Sequence, residues 1–127
     1  MTTRKTISVL VRVKEGCFMS LGENAILLND GHKMPLLGLG VYKADAGTEV
    51  EQAIQDAVYS GYRLIDTASV YKNEDGVGRG LKALDVPREE LFITTKIWNN
   101  AQRLGDVEDS FNRSLERLGL DYVDLYL

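Results

Sequence analysis

Strand-like and helix-like segments alternate along this chain with a nearly constant period, and that period limits it to very few folds. Strand starts near Leu37, Arg63, Phe92 and Tyr122 lie 26, 29 and 30 residues apart. Between them, Val50, Ala53, Ile54, Ala57 and Val58 fall at helical spacing, as do Val77, Leu81 and Leu84, and then Val107, Phe111, Leu115 and Leu118. Repeated strand–helix–strand units predict a parallel sheet with helical crossovers. The pattern predicts strands over residues 36–41, 63–67, 91–97 and 122–127. It predicts helices from Thr48, with Glu51 completing a capping box, from Asn73, and from Asp106. Gly61 and Gly119 are the expected helix stops. An Asp109–Arg113 pair is expected on the last helix. Upstream, residues 26–29 and 32–35 flank Asp30-Gly31, which predicts a hairpin with a tight primed turn.

Two architectures share this rhythm. A doubly wound sheet could be complete at 127 residues. A (β/α)₈ barrel needs roughly 250 residues, so four strands make half of one. Periodicity alone does not separate them.

Composition narrows the function classes. Apolar residues are 44% of the chain and charged residues 27%, an ordinary globular mix. No apolar run of about 18 residues is present, so no membrane span is expected. Fifteen basic against nineteen acidic residues give a net charge of −4, which argues against a phosphate-backbone, nucleic-acid partner. Cys17 and His32 are the only residues of their kinds, so no internal disulfide, thiolate zinc site or multi-histidine metal site is expected. A reduced, cytoplasmic, metal-free protein is the expectation.

Residues 1–24 differ in character from residues 25–127. Up to Ile26, Arg4, Lys5, Arg12 and Lys14 face only Glu15 and Glu23, whereas the remainder is acidic. Ile7, Val9, Val11 and Val13 share one strand parity. An N-terminal extension or extra strand is expected here, upstream of a possible alternative start at Met19. A transit peptide is the competing reading.

Chemistry is sought at the carboxyl ends of the strands, where parallel α/β folds place their ligands. Asp66 ends the second strand, Tyr71 follows in its loop, and Lys96 ends the third, ahead of Trp98. Clustered together, Lys96 would lower the proton affinity of the Tyr71 phenol, and Asp66 would hold the ammonium. Such a phenol can protonate a developing alkoxide, which suits carbonyl reduction with hydride from a nicotinamide cofactor. The bland alternative is a buried Asp–Lys ion pair beside a packing tyrosine. The glycines Gly38, Gly40, Gly76, Gly78 and Gly80 complete no dinucleotide or phosphate loop, and turn and packing roles are expected for them.

The segments around these residues carry a resemblance. Leu28-Asn29-Asp30-Gly31-x-x-Met34-Pro35-x-x-Gly38-x-Gly40 resembles the opening of the aldo-keto reductase family. Gly61-Tyr62-Arg63-x-Ile65-Asp66-Thr67-Ala68-x-x-Tyr71-x-Asn73-Glu74-x-x-Val77-Gly78 resembles its central signature. Pro87-Arg88-Glu89-Glu90-Leu91-Phe92-Ile93-Thr94-Thr95-Lys96-Ile97-Trp98 and Leu118-Gly119-Leu120-Asp121-Tyr122-Val123-Asp124-Leu125 resemble the blocks that follow, in the same order. The tone is that of microbial and protozoan members.

The resemblance implies the amino-terminal half of a (β/α)₈ TIM barrel with a bottom hairpin. It also implies NADPH-dependent reduction of small aldehydes and ketones. By matching position, Tyr71 is the proton donor, Lys96 its modifier and Asp66 the partner of Lys96. Gly40, Val41 and Asp66 border the nicotinamide, and Tyr42 and Trp98 wall the substrate pocket. Val41 stands where many members carry threonine. His32 lies in the hairpin and is expected to be structural. The family's catalytic histidine and its 2′-phosphate site fall beyond Leu127, so the isolated chain is expected to be inactive. A non-catalytic remnant or interaction module is the alternative. Open edge strands are expected to favour a homodimer.

Overall fold

A computed structural model describes residues 24–127. Apart from Asn24, the expected N-terminal extension at residues 1–24, with its strand parity, Cys17 and Met19, lies outside the described residues.

The chain enters through an antiparallel hairpin, β1 (Ala25–Leu27) and β2 (Lys33–Pro35), with Ile26 opposite Met34. Its turn differs from the expected primed type. Gly31 N–H donates to Leu28 O at 3.0 Å, and in this turn only Gly31, at φ 88°, has positive φ. That is a turn of the common sense followed by a left-handed glycine, a three-residue loop. Asp30 accepts from the His32 N–H at 3.0 Å, which braces the turn without bending Asp30 itself into the left-handed region.

Four parallel strands follow: β3 (Gly38–Gly40), β4 (Leu64–Asp66), β5 (Phe92–Thr95) and β6 (Leu125–Tyr126), in the spatial order β3-β4-β5-β6. Spatial order repeats chain order, with no reversal. A doubly wound sheet needs a reversal to place helices on both faces. Here α1 (Thr48–Tyr59), α2 (Glu74–Lys82) and α4 (Val107–Leu118) pack α1 on α2 and α2 on α4. This is the singly wound arrangement expected of half a barrel. One further helix, α3 (Asn99–Leu104), was not legible in the apolar pattern.

Alternation along the strands sorts the two faces. Leu39, Ile65 and Ile93 are buried in one cluster with Val50, Ile54 and Val58 of α1 and Val77 and Leu81 of α2. Ile54, Ile65 and Ile93 are fully excluded from water; each contributes about 1.5–3 kcal/mol of hydrophobic stabilisation. The glycines of α2 allow this layer to close. A Cβ on Gly76 would lie 2.3 Å from Ala46 O, and one on Gly78 would lie 2.5 Å from Leu118 O. They are packing residues, as expected.

The two ends of α1 show one departure from the expected pattern and one agreement with it. α1 starts one residue earlier than the expected capping box allows: Gly47 is the N-cap, and Thr48 is the first helical residue. Glu49 instead turns back to accept from the Asp45 N–H, while Glu51 pairs with Arg79. At the other end, Gly61 adopts φ 99°, and Tyr62 N–H reaches Ala57 O at 2.9 Å, the expected left-handed stop.

α4 departs furthest from its pattern. Ser110 and Ser114 are buried with Leu118, whereas Val107 is largely exposed. The cause is a polar staple. Glu74, only 1% exposed, accepts from Thr95 Oγ1 (2.6 Å), Ser114 Oγ (3.2 Å) and Arg117 Nε (2.8 Å). Ser114, small and buried, makes room for the carboxylate between α2, β5 and α4. The expected Asp109–Arg113 ion pair does not form.

Candidate active site

The inner face of the sheet is filled at one end and open at the other. At the amino end, Leu64 lies so close over Gly38 that a Cβ there would meet Leu64 Cδ2 at 2.2 Å. Two residues on, a Cβ at Gly40 would meet nothing within 4 Å. Gly40 is in register with Asp66, and Asp66 with Thr94. The open end is therefore the carboxyl end, where polar side chains replace the leucine and phenylalanine below.

Those side chains converge. Lys96 Nζ donates to Asp66 Oδ1 at 2.6 Å and to the Thr67 carbonyl at 2.9 Å. Thr94 Oγ1 donates to the same Asp66 oxygen. Asp66 and Lys96 are both about one-third exposed, so the pair is neither dry nor freely solvated. The Lys96 ammonium also lies 5.3 Å from the centroid of the Tyr71 ring, within cation–π range. Tyr71 sits at the end of a single 3₁₀ turn, residues 69–71, directly after β4. Ser69 secures that turn to the tip of β5, since both its N–H (3.1 Å) and its hydroxyl (2.9 Å) donate to Lys96 O. The two strand ends and the intervening loop are thereby one unit.

Tyr42 joins the group from the β3–α1 turn, its ring 4.9 Å from that of Tyr71 and tilted by 50°. Tyr42 is 47% exposed and Trp98 46% exposed, so both offer aromatic surface to a ligand. Trp98 caps α3 and makes no ring contact with Tyr42 or Tyr71. Val41 is placed differently: it is 2% exposed, its side chain belongs to the core cluster, and its carbonyl accepts from Asn73. Only its backbone can border a ligand on the open face. His32 lies in the hairpin, which shares a groove with Arg63, Phe92 and Asp124 at the amino ends of the strands, far from this cluster.

Sequence reasoning missed Thr94, Thr67, Ser69 and Asn73. Thr94 had a findable signal, since it stands two residues before Lys96 and shares its face. A basic concavity between α2 and α4 is no competing site. Its arginines are already committed, Arg79 to Glu51 and Asp75, Arg88 to Asp124, and Arg117 to Glu74. No three His, Cys, Asp or Glu among the described residues could hold a metal ion. No described helix is long and apolar enough to cross a membrane.

Comparison with known proteins places this geometry in context. The model of the Aldo/keto reductase family matches residues 37–127. Glyoxal reductase of Bacillus subtilis is 50% identical over 105 residues, covering 83% of this chain and 38% of that protein. Methylglyoxal reductase DkgA of Escherichia coli is 55% identical over 102 residues, covering 80% and 36% respectively. A crystal structure of an aldo/keto reductase from Brucella melitensis superposes with a TM-score of 0.76 at 44% identity, covering 81% of this chain and 39% of that one. An aldo-keto reductase of Bombyx mori in complex with NADP superposes with a TM-score of 0.71 at 43% identity, covering 80% and 36%. The chain thus spans less than two-fifths of the length of these relatives. Its parallel sheet, its open carboxyl end and this match agree: the chain belongs to the aldo-keto reductase family.

Proposed function

We propose that this chain supplies the proton-donating side of an NADPH-dependent reductase for small aldehydes and ketones, with Tyr71, Lys96 and Asp66 as its catalytic residues. The observation that supports this most strongly is the position of the Lys96 ammonium, hydrogen-bonded to Asp66 and 5.3 Å from the centre of the Tyr71 ring. Tyr71 donates its hydroxyl proton to the carbonyl oxygen as negative charge develops there. Lys96 stabilises the charge left on the phenol oxygen. Asp66, supported by Thr94, neutralises Lys96 and fixes its direction.

The residues at the open end fit a nicotinamide ring. The space over Gly40, where a side chain would meet nothing, lies in register with Asp66. Gly40, the Val41 backbone and Asp66 would hold that ring, and the cofactor supplies the hydride to the carbonyl carbon. Tyr42 and Trp98 would wall the substrate. Glyoxal and methylglyoxal, the compounds named for the relatives, are the first substrates to test. A cytoplasmic setting and homodimer formation through the edge strands β3 and β6 belong to the same proposal; light scattering distinguishes dimer from monomer.

NADPH titration followed by the fluorescence of Trp98, the chain's single tryptophan, tests the site. Binding should quench Trp98, and Gly40→Val should abolish the quenching without unfolding the chain. Equal quenching in Gly40→Val would remove the cofactor from this face.

A further inference from the structure

The turn that carries Tyr42 is held in a strained shape by one buried amide. Residues 41–44 close on themselves, with Ala44 N–H donating to Val41 O at 3.1 Å. The third residue, Lys43, sits at φ 64°, whereas Tyr42 before it has no positive φ. This is the type II pattern, whose third position favours glycine because a Cβ crowds the backbone there. Lysine occupies it here, so something outside the turn must hold it.

That something is Asn73. Its side chain is buried, 1% exposed, and both amide hydrogens are used. Nδ2 donates to Val41 O at 2.9 Å and to Ala44 O at 3.1 Å, the two carbonyls that bracket the turn. Oδ1 accepts from Thr67 Oγ1 at 3.1 Å. Thr67 follows Asp66, and its own carbonyl accepts from Lys96. The partners fix the amide orientation, because the flipped form would set Oδ1 against two carbonyls. Asn73 is the N-cap residue of α2, yet its side chain makes no capping hydrogen bond. The amide is therefore committed to the turn rather than to the helix.

We propose that Asn73 is a positioning residue: it clips the Tyr42 turn to the Asp66–Tyr71 segment and so sets the ring of Tyr42 against that of Tyr71. The inference deepens the site reading above, on which the functional meaning of Tyr42 and Tyr71 rests. Only a side chain with two donors and one acceptor at this length satisfies all three partners. Aspartate keeps the size and loses both donors.

The test is the nuclear Overhauser contact between the Tyr42 and Tyr71 rings in the labelled 127-residue chain. Asn73→Ala should abolish it. Adding Lys43→Gly in the same background should restore it, since glycine holds the left-handed turn unaided. Thr67→Val, which leaves both donated bonds intact, should lower stability and preserve the contact. Asn73→Asp gives the same reading if Asn73→Ala fails to fold. A contact that survives both Asn73 variants, a loss equally complete in Thr67→Val, or no restoration by Lys43→Gly would each overturn the proposal. None of these outcomes depends on turnover, so failure of the reductase reading shows separately, as glyoxal reduction indifferent to Tyr71→Phe once residues 24–127 are joined to the part of a glyoxal reductase that this chain does not cover.

Discussion

Replacing Arg117 with methionine removes one side of an ion pair whose other side is sealed in the protein. Glu74 is 1% exposed, whereas the Arg117 side chain is 41% exposed, so the two ends bear very different solvation costs. The arginine reaches one carboxylate oxygen twice, at 2.8 Å through Nε and at 2.6 Å through a terminal nitrogen. Were this an ordinary surface pair, its loss would cost about 0–1 kcal/mol. Stripping a buried charge of its partner costs about 3–5 kcal/mol. Thr95 and Ser114 would still donate to the carboxylate, and water could enter from the arginine side, so about 2–3 kcal/mol is expected, below the full buried-pair value. Methionine preserves the aliphatic stem, which confines the change to the charge. Glu74→Leu together with Arg117→Met should cost less than Arg117→Met alone plus Glu74→Leu alone, because the pair vanishes as a unit. Urea denaturation of the four proteins measures the cycle. A loss below about 0.5 kcal/mol for Arg117→Met, in the range of exposed pairs, would refute the argument that the staple is energetically buried.

Three further outcomes follow from the same geometry. Gly76→Ala should destabilise by about 1–3 kcal/mol through overpacking against Ala46 O and Val50, despite the gain of about 1 kcal/mol in helix propensity. Gly40→Ala should leave the denaturation midpoint unchanged, since its Cβ meets nothing, while weakening NADPH quenching of Trp98. In the hairpin, the His32 N–H, the largest influence on the Asp30 carboxyl, holds it below the ordinary carboxylate range. Its folded value being depressed, the brace is present above the unfolded value of about 3.9 and lost as pH falls through the folded one. The His32 amide resonance should therefore shift with a midpoint below the ordinary aspartate value, and a midpoint at or above that value would contradict the brace.

How far the sequence could be read depended on whether a residue's role was periodic or three-dimensional. Strand and helix spacing located β3 to β6, α1, α2 and α4 because burial repeats along each element. It did not reveal that spatial order follows chain order; that emerges from strand register alone. The period failed on α4, where Ser110 and Ser114 take buried positions and Ser114 donates to Glu74, a partner 40 residues away. α3 was missed because six residues beginning Asn-Asn carry too little apolar pattern. At the site, strand-end logic and the family resemblance singled out Asp66, Tyr71 and Lys96, which lie together. Val41 was expected beside the cofactor, and strand alternation turns its side chain into the core. Asn73 read as a helix start, and only the fold discloses that its amide serves a turn some 30 residues earlier.

The central claim is that Tyr71 delivers the proton in a carbonyl reduction. It is tested most directly by joining residues 24–127 to the part of Bacillus subtilis glyoxal reductase that this chain does not cover. Glyoxal-dependent oxidation of NADPH by the joined protein is then compared with that of its Tyr71→Phe variant. A positioned general acid contributes roughly 10²–10⁴-fold, so a loss of at least about a hundredfold is expected, with NADPH affinity retained. A Tyr71→Phe variant that binds NADPH and reduces glyoxal as fast as its parent would contradict the account.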